Sequence, residues 1–154
     1  MDLILWRHPE AEDGDDGRED LDRPLSARGE KHAARVAAWL DRHLGEGARV
    51  LCSPARRCEQ TAQALGRKYK TVEALAPERD SAALLEVAHW PSSRQPVVVI
   101  GHQPVLGSVV SQLLRIQGDQ CPVRKGSAWW LRTRERDGHV QTVVWAVQTP
   151  ELVY

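Results

Sequence analysis

Short apolar runs alternate with amphipathic helical segments along most of the chain. Residues 3–6, 49–52 and 97–100 are mainly apolar runs of the length of a buried strand, and a weaker strand is predicted at residues 69–72. Most runs are followed by a segment whose apolar residues recur at helical spacing. Strands that alternate with helices form parallel sheets whose two faces are both covered. The chain is therefore predicted to be an α/β protein, a three-layer α/β/α sandwich around a mainly parallel sheet.

Four helices are predicted from their start and stop signals. Ser26 caps the first helix, which ends before Gly45. Ser53 caps the second, Pro54 occupies its first position, and Gly66 stands just past its end. The third helix is predicted to begin at a cap on Asp80 or Ser81 and to run through Ala88, and the fourth covers about residues 104–114.

The carboxy-terminal segment follows a different pattern. Residues 127–134 and 139–147 are predicted strands, and they flank Asp137-Gly138, a dipeptide typical of a two-residue hairpin turn. We expect this hairpin to add antiparallel strands to the edge of the sheet. No linker or internal repeat interrupts the chain, so residues 1–154 are predicted to form a single domain.

The charge of the chain is balanced. Its 154 residues include 21 Lys plus Arg and 21 Asp plus Glu, so the formal net charge is zero when histidine is neutral. Such a chain has no overall field that attracts nucleic acid or an anionic membrane, and neither is expected as a partner. The charges are segregated, because residues 10–22 carry eight acids and one base, which sum to −7 and leave +7 for the rest. An anionic ligand would have to be bound by a local basic cluster.

The sequence shows neither a secretion signal nor a membrane span. Its amino-terminal apolar stretch is too short for a signal peptide, and no run approaches the ~20 apolar residues of a span. The three cysteines, Cys52, Cys58 and Cys121, are odd in number and form no C-x-x-C pair. This pattern argues against a disulfide framework and a structural zinc site, and it favours small buried thiols in a reducing compartment. We expect a cytoplasmic protein.

Cationic and nucleophilic side chains follow three of the predicted strands. Arg7 and His8 come directly after the first strand, Arg57 lies in the opening turn of the helix after the second, and His102 follows residues 97–100. The carboxyl ends of parallel strands bound the ligand crevice of such a sheet, so these side chains are expected to meet. Arginine forks match phosphate oxygens, and a neutral imidazole can act as a phosphoryl nucleophile. The cluster therefore indicates an oxyanion site suited to phosphoryl chemistry.

At these positions the sequence resembles the histidine phosphatase superfamily, also called the phosphoglycerate mutase-like or RHG group. The matching motifs are Leu5-Trp6-Arg7-His8-Pro9-Glu10, the segment from Ser53-Pro54-Ala55-Arg56-Arg57 to Thr61, and Ile100-Gly101-His102-Gln103-Pro104. The short chain, its lack of long insertions and its Arg23-Pro24-Leu25-Ser26 segment are most similar to the compact phosphohistidine phosphatases of the SixA type. The resemblance covers essentially the whole chain and implies a phosphoglycerate mutase-like fold.

The resemblance also implies a role for each residue of the cluster. His8 would attack the phosphoryl phosphorus and become phosphohistidine, which water then hydrolyses. Arg7 and Arg57 would bind the equatorial oxygens, and His102 would donate a hydrogen bond to the same group. Arg23, ahead of the first long helix, is a candidate for a further phosphate contact. The implied activity needs no metal or other cofactor, and the implied partner is a phosphohistidine-bearing protein such as a phosphotransfer domain.

Two features depart from the pattern of the superfamily. Pro9 stands where a glycine is usual after Arg-His, so any phosphate contact through that backbone amide is lost. Larger members place a carboxylic acid over the leaving group. Glu10, Glu12 and Glu86 are the candidates here, but the sequence pattern places none of them beside the cluster. A missing acid favours a substrate whose bond is already labile, such as phosphohistidine.

Other phosphatase chemistries are not favoured. Two D-x-D pairs, Asp13 with Asp15 and Asp20 with Asp22, do not follow an apolar strand, which argues against a metal-bound aspartyl nucleophile. None of the three cysteines begins the C-x₅-R spacing of cysteine phosphatases. Two alternatives to a phosphohistidine phosphatase stay open: a small-molecule phosphomonoesterase of the same superfamily, and a non-catalytic module that binds a phosphorylated ligand.

The remaining polar residues near the motifs are expected to be structural or exposed. Ser53 is interpreted as a helix cap only, and Arg56 as a solvent-facing neighbour of Arg57. The other histidines have no motif spacing and are interpreted as surface or capping residues: His32, His43, His89 and His139.

Overall fold

The computed structural model describes residues 1–14, 17–118 and 120–153. Within these residues six strands form one sheet: β1 (Asp2–Arg7), β2 (Arg49–Cys52), β3 (Lys70–Thr71), β4 (Val97–Gly101), β5 (Ala128–Arg136) and β6 (His139–Gln148). Their order across the sheet is β3-β2-β4-β1-β5-β6. The first four are parallel, and β5 and β6 complete the sheet as antiparallel strands. The predicted mainly parallel sheet with a carboxy-terminal hairpin is confirmed.

Four α-helices lie among the described residues: α1 (Ala27–His43), α2 (Arg56–Leu65), α3 (Ser81–Val87) and α4 (Val105–Leu114). Short 3-10 turns occupy Asp20–Asp22, Glu73–Leu75 and Pro150–Leu152. None of these helices has the length and apolar character needed to cross a bilayer, within the part of the chain that the structure describes.

The two faces of the sheet are covered by separate hydrophobic cores. Side chains alternate along β1, so Ile4 and Trp6 pack on one face and Leu3 and Leu5 on the other. The first face is covered by α1 and α2, which contribute residues such as Leu40 and Leu65; the second is covered by α3 and α4, with Leu84 and Val110 among the buried side chains. All four β1 side chains are fully buried. The architecture is therefore the predicted three-layer α/β/α sandwich.

Most of the predicted helix signals are used as expected. The Ser26 hydroxyl accepts a hydrogen bond from the Gly29 amide at 3.0 Å, and Asp80 caps α3 through the Ala83 amide at 2.9 Å. Gly66 ends α2 in the left-handed conformation, with φ of 75°. In the Asp137-Gly138 turn φ is 51° and 79°. A two-residue hairpin turn that matches the twist of its strands requires positive φ at both positions.

The predicted start of the second helix is wrong by two residues. Helix α2 begins at Arg56, with Ala55 in the capping position, so neither Ser53 as cap nor Pro54 as first helical residue holds. The Ser53 hydroxyl accepts from the Ala55 amide at 3.2 Å within the turn that precedes the helix. Its other hydrogen bond goes to His102 and competes with a helix-capping role.

Strand register brings the ends of three strands level. In the parallel pair of β1 with β4, Arg7 lies opposite Gly101, so the next residues, His8 and His102, leave the sheet side by side. In the pair of β2 with β4, Cys52 lies opposite Ile100, which carries Ser53 to the same edge. This edge is the carboxyl end of the parallel strands, where the ligand crevice of an open α/β sheet is expected.

Candidate active site

His8, Arg57 and His102 form one cluster at this edge of the sheet. The imidazole rings of His8 and His102 have centroids 5.2 Å apart. The Arg57 guanidinium lies between them, with Nε 3.3 Å from His8 Nε2 and Nη2 3.5 Å from His102 Nδ1. Arg7 lines the same cavity of about 270 Å³. The four residues that sequence analysis singled out are thus brought together.

The ring of His8 is held in one tautomer by the backbone. Its Nδ1 lies 2.7 Å from the carbonyl oxygen of Pro9. A carbonyl oxygen can only accept, so Nδ1 carries the proton and Nε2 keeps a lone pair. Arg57 Nε donates to that lone pair at 3.3 Å. Pro9 has lost an amide donor but retains its carbonyl, and the carbonyl is the group that orients His8.

Both histidines are neutral near pH 7. Burial lowers the pKa of His8 to about 3, and the charges of His102, Arg57 and Arg7 act in the same direction, against the hydrogen bond to Pro9. Burial lowers the pKa of His102 to about 4, with Arg57 as the next cause. A neutral His8 whose Nε2 keeps its lone pair is the form that a nucleophile needs.

Arg57 is fixed from its outer side by Asp20. The buried guanidinium donates from Nη1 to the Asp20 carbonyl at 2.8 Å and from Nη2 to the Asp20 carboxylate at 3.1 Å. Burial raises the pKa of the Asp20 carboxyl, whereas the charges and hydrogen bonds of Arg57 and Arg23 lower it by more, so the carboxylate is ionised. The Nε and Nη2 edge of Arg57 is left facing the two histidines.

Arg7 has donor capacity that the protein does not use. Its Nη1 donates to the Val123 carbonyl at 2.9 Å, but its buried Nε has no hydrogen-bond partner among the described residues. A buried donor without a partner costs free energy, so it is expected to be satisfied by a ligand or water. Arg7 also lines the cavity, but Nε itself is shielded from it, so the side chain would have to shift for an oxyanion there to supply the missing acceptor.

Ser53 is part of the site, which the sequence analysis did not anticipate. Its hydroxyl lies 2.8 Å from His102 Nε2 and also accepts from the Ala55 amide. Because the Arg57 guanidinium can only donate, its 3.5 Å contact makes Nδ1 of His102 the acceptor, so Nε2 carries the proton and donates to Ser53. A hydroxyl can donate as well as accept, so Ser53 could also support the other tautomer if a ligand replaced the contact with Arg57. The interpretation of Ser53 as a helix cap only is wrong. The available signal was its position directly after β2, level with His102.

Arg23 and Lys125 add positive charge to the cavity wall. Arg23 is itself engaged, since Nε and Nη2 each lie 3.0 Å from the Asp20 carboxylate and Nη1 donates to the Glu12 carbonyl at 2.9 Å. Lys125 is exposed and has no ion-pair partner within the described ranges. Asp20 therefore joins two arginines of the wall, and it too was missed as a site residue.

The carboxylates considered as leaving-group acids do not line this cavity. Glu10 accepts a hydrogen bond from the Ser26 hydroxyl at 2.8 Å, and Glu12 pairs with Arg18 at 3.2 Å. Glu86 is exposed on α3. The acidic side chain that lines the cavity is Asp13. Its partner in the D-x-D pair, Asp15, lies outside the described residues.

The cysteines and the grouping of acidic and histidine side chains bear on the alternative chemistries. Cys52 and Cys58 are buried free thiols, and burial raises the pKa of Cys58 to about 12, so it is protonated at neutral pH. Groups of three or more His, Cys, Asp or Glu side chains that could hold a metal ion do not occur among the described residues. Arg56 is exposed, as predicted, beside the buried Arg57.

Comparison with known proteins agrees with this arrangement. The model of the histidine phosphatase superfamily (branch 1) matches residues 3–77, which include Arg7, His8 and Arg57. The phosphohistidine phosphatase SixA of Escherichia coli (strain K12) is 31% identical over 149 residues, which cover 90% of this chain and 89% of that protein. The chain belongs to the histidine phosphatase superfamily. It is accordingly a phosphatase, and its fold is phosphoglycerate mutase-like.

Solved structures place this superfamily member close to SixA in shape. A protein histidine phosphatase SixA in complex with tungstate is 26% identical, with a TM-score of 0.75 over 97% of both chains. A mycobacterial glucosyl-3-phosphoglycerate phosphatase is 17% identical, with a TM-score of 0.67 over 94% of this chain and 96% of that one. The second likeness shows a shared fold alone. Members of one fold thus act on different substrates, so the substrate must be argued from the site.

Proposed function

We propose that the protein hydrolyses phosphohistidine on a partner protein, without a metal, through a phosphorylated His8. The observation that carries the proposal is the fixed tautomer of His8. Its Nδ1 donates to the Pro9 carbonyl, so Nε2 keeps its lone pair and accepts from Arg57 at a cavity lined by Arg7, Arg57 and His102. A phosphoryl group that binds Arg57 would take over this donor and release the lone pair for attack. A nucleophile that is neutral, oriented and surrounded by cations meets the main demands of phosphoryl transfer.

The first step forms the covalent intermediate. The lone pair of His8 Nε2 attacks phosphorus while the bond from phosphorus to the substrate nitrogen breaks. The other nitrogen of the substrate ring carries a proton in the reactive form, so the leaving imidazole keeps the electron pair and departs as a neutral ring. Phosphorylated His8 carries a positive ring whose Nδ1 proton is shared with the Pro9 carbonyl. Arg7 and Arg57 bind the equatorial oxygens. Once the phosphoryl group replaces the contact of Arg57 with His102, Nδ1 of His102 donates to it and the Ser53 hydroxyl donates to Nε2.

The second step restores the enzyme. A water molecule attacks the phosphorus, the bond to Nε2 breaks, and the electron pair returns to the ring. The proton of the water goes to the phosphate product or to solvent. His8 is then again neutral, which agrees with its pKa of about 3, far below neutral pH. No proton has to be removed from the nucleophile before a new cycle.

Similarity to two SixA proteins supports phosphohistidine as the substrate. The chemistry of the site supports it as well. The bond between phosphorus and an imidazole nitrogen is labile, and its leaving group needs less help from an acid than an alkoxide does. Glu10, Glu12 and Glu86 are not positioned to give such help, whereas the charged groups that stabilise the transferred phosphoryl group are in place.

The test uses a phosphohistidine-bearing phosphotransfer domain in the presence of a chelator. Wild-type protein is expected to remove the phosphate, and rapid quenching is expected to trap an acid-labile phosphoenzyme. The variant His8→Ala is expected to lose both signals. His139→Ala serves as the matched control, because His139 is exposed in the hairpin turn region, at the start of β6. Undiminished dephosphorylation by His8→Ala would contradict the proposal.

A small-molecule phosphomonoesterase is the second candidate, and Asp13 is the observation that favours it. Asp13 is an acidic side chain on the cavity wall, so its protonated form could supply a proton to an alkoxide leaving group. A panel of phosphomonoesters and phosphohistidine proteins separates the two candidates. A higher kcat/KM for a phosphomonoester, lost in Asp13→Asn, would select the second. Binding of phosphate without any phosphoenzyme would instead indicate a non-catalytic module.

A further inference from the structure

A second cavity of about 340 Å³ adjoins the phosphate-binding cavity. Its wall is formed by Arg7, Glu10, Arg28, His32, Arg124, Lys125 and Glu151. Arg7 and Lys125 line both cavities, so the two share a wall. Two elements supply the rest of the lining. Arg28 and His32 are four residues apart on α1 and lie on one face of it, and Arg124 precedes β5.

The second cavity has more cationic than anionic groups. Arg7, Arg28, Arg124 and Lys125 give four positive charges, and Glu10 and Glu151 give two negative charges, so the formal sum is +2 without counting histidine. Both acids are engaged, since Glu10 accepts from the Ser26 hydroxyl at 2.8 Å and Glu151 pairs with Arg124 at 3.4 Å. Within the described part of the chain, Arg28 and Lys125 have no ion-pair partner.

We propose that this cavity is a second anion subsite, which binds a carboxylate of the substrate while the phosphoryl group occupies the cavity beside it. The inference rests on the proposed function, because it assigns the part of the substrate next to the phosphate. Arg28 and Lys125 supply uncompensated charge, and an arginine fork matches the two oxygens of a carboxylate. The volume is several times the ~30 Å³ that a water molecule takes in the liquid, so a carboxylate and bridging waters fit together.

The position of Arg7 indicates that the phosphoryl group and the carboxylate would belong to one ligand or to one protein surface. A single side chain lines both cavities, so an anion in the second lies within the reach of one arginine from the phosphoryl group. The carboxylate has two chemical sources. It is an acidic side chain next to the phosphohistidine of a protein, or the carboxylate of a small phosphorylated molecule. His32, interpreted from the sequence as a surface residue, becomes part of the binding wall.

Non-hydrolysable phosphonates test the subsite on the wild-type protein without any turnover. Calorimetry at constant ionic strength compares methylphosphonate with phosphonoacetate and 3-phosphonopropionate, which add a carboxylate at two distances. At least one phosphonocarboxylate is expected to bind about tenfold more tightly than methylphosphonate. This is the gain in affinity expected from one additional charge-assisted hydrogen bond. The gain is expected to be lost in the double variant Arg28→Gln with Arg124→Gln.

The matched control changes two exposed arginines outside both cavities, Arg35→Gln with Arg134→Gln. It removes the same net charge, so retention of the tenfold gain there assigns the effect to the cavity rather than to the overall field. Equal affinities for the three phosphonates in wild type, or a gain that survives in the Arg28 and Arg124 variant, would overturn the subsite. Methylphosphonate has no carboxylate, so its binding measures the phosphate cavity alone. Failure of the subsite can therefore be distinguished from failure of the proposed function.

A second arm identifies the source of the carboxylate. Phosphohistidine peptides with an Asp or an Ala neighbour are compared by kcat/KM. A preference for the acidic peptide that disappears in the Arg28 and Arg124 variant supports a protein substrate with an acidic neighbour. Equal values for the two peptides, together with the phosphonocarboxylate gain, support a small carboxylated substrate and count against a protein partner at this subsite.

Discussion

The Asp20 carboxylate lies 3.1 Å from Nη2 of Arg57, and the Asp20 carbonyl accepts from Nη1 at 2.8 Å. The two contacts hold one edge of the guanidinium, so the other edge, formed by Nε and Nη2, faces His8 and His102. The same carboxylate pairs with Arg23 at 3.0 Å. An acid from the segment after the proposed nucleophile thus sets the orientation of Arg57, the arginine proposed to bind phosphate.

We expect Asp20→Asn to lower kcat by about tenfold, because the amide retains only part of the contact and lets Arg57 turn. A positioning role predicts a loss in kcat with little change in KM, and steady-state kinetics on a phosphohistidine protein measure both. Asp22→Asn is the control from the same 3-10 turn, where the side chain is exposed. An unchanged kcat in Asp20→Asn, or an equal loss in Asp22→Asn, would contradict the role.

Replacement of Arg57 by alanine is expected to reduce kcat by about 10²–10³, the effect of removing one preorganised donor at a developing anion. Arg57 is buried against His8, whereas its neighbour Arg56 is exposed. Arg56→Ala is therefore the matched control and is expected to keep activity close to wild type. Single-turnover formation of the phosphoenzyme measures the chemical step directly. Comparable losses in the two variants would show that general charge, not position, matters.

Stability is expected to fall as the pH drops below about 6.5. The folded-state pKa of His8 is about 3 and that of His102 about 4, both below the 6.5 of an exposed histidine. Between these values the unfolded chain binds more protons than the folded one, so acid favours unfolding. Denaturant titrations from pH 7 to pH 4 measure how steeply the free energy of unfolding falls with pH. This dependence should be weaker in His102→Gln. A stability that is flat over this range in wild type would refute the depressed pKa values.

Activity is expected to tolerate acid for the same reason. Because His8 stays neutral down to a pKa of about 3, the free enzyme should retain its nucleophile at pH 5, provided that it remains folded. The measurement is kcat/KM against pH, corrected for ionisation of the substrate. A drop in kcat/KM centred near 6.5 would mean that His8 titrates as an exposed histidine.

Ser53→Ala is expected to lower kcat about tenfold, the cost of one hydrogen bond to a charged transition state. The variant removes the 2.8 Å contact with His102 Nε2, which orients that ring and is the hydrogen bond that either of its tautomers makes at Nε2. Nitrogen chemical shifts of His102 report the tautomer independently of activity and should change in Ser53→Ala. If Ser53→Ala had a lower kcat but the same His102 chemical shifts as wild type, the loss of activity would have another cause.

Gly29→Ala is expected to destabilise the fold by about 1–3 kcal/mol through overpacking. A methyl group at Gly29 would collide with the backbone carbonyl of Glu10, which approaches the first turn of α1 closely. Gly45→Ala is the control, since a methyl group there meets open space. The free energy of unfolding from denaturant titration compares the two. If Gly29→Ala left the free energy of unfolding unchanged, the segment from Pro9 to Ala11 would have to shift without losing stability.

The periodicity of the sequence was sufficient to predict the layers of the fold. Each strand of the parallel sheet and each helix follows from a local pattern of apolar residues, and those patterns need no partner from elsewhere in the chain. Their order also placed Arg7, His8, Arg57 and His102 after strand ends or in a first helical turn. A parallel sheet brings such positions to one edge whatever its exact strand order.

The tertiary structure decided what holds these residues in place. Asp20 reaches Arg57 across 37 positions of the chain, and Ser53 reaches His102 across 49. No spacing rule links such pairs, because their contact depends on the register of β1, β2 and β4 and on how the segment before α1 packs. The sequence alone therefore indicated which groups are the candidates for the chemistry. Long-range packing determined their orientation and protonation, because both depend on burial and on hydrogen-bond partners distant in the chain.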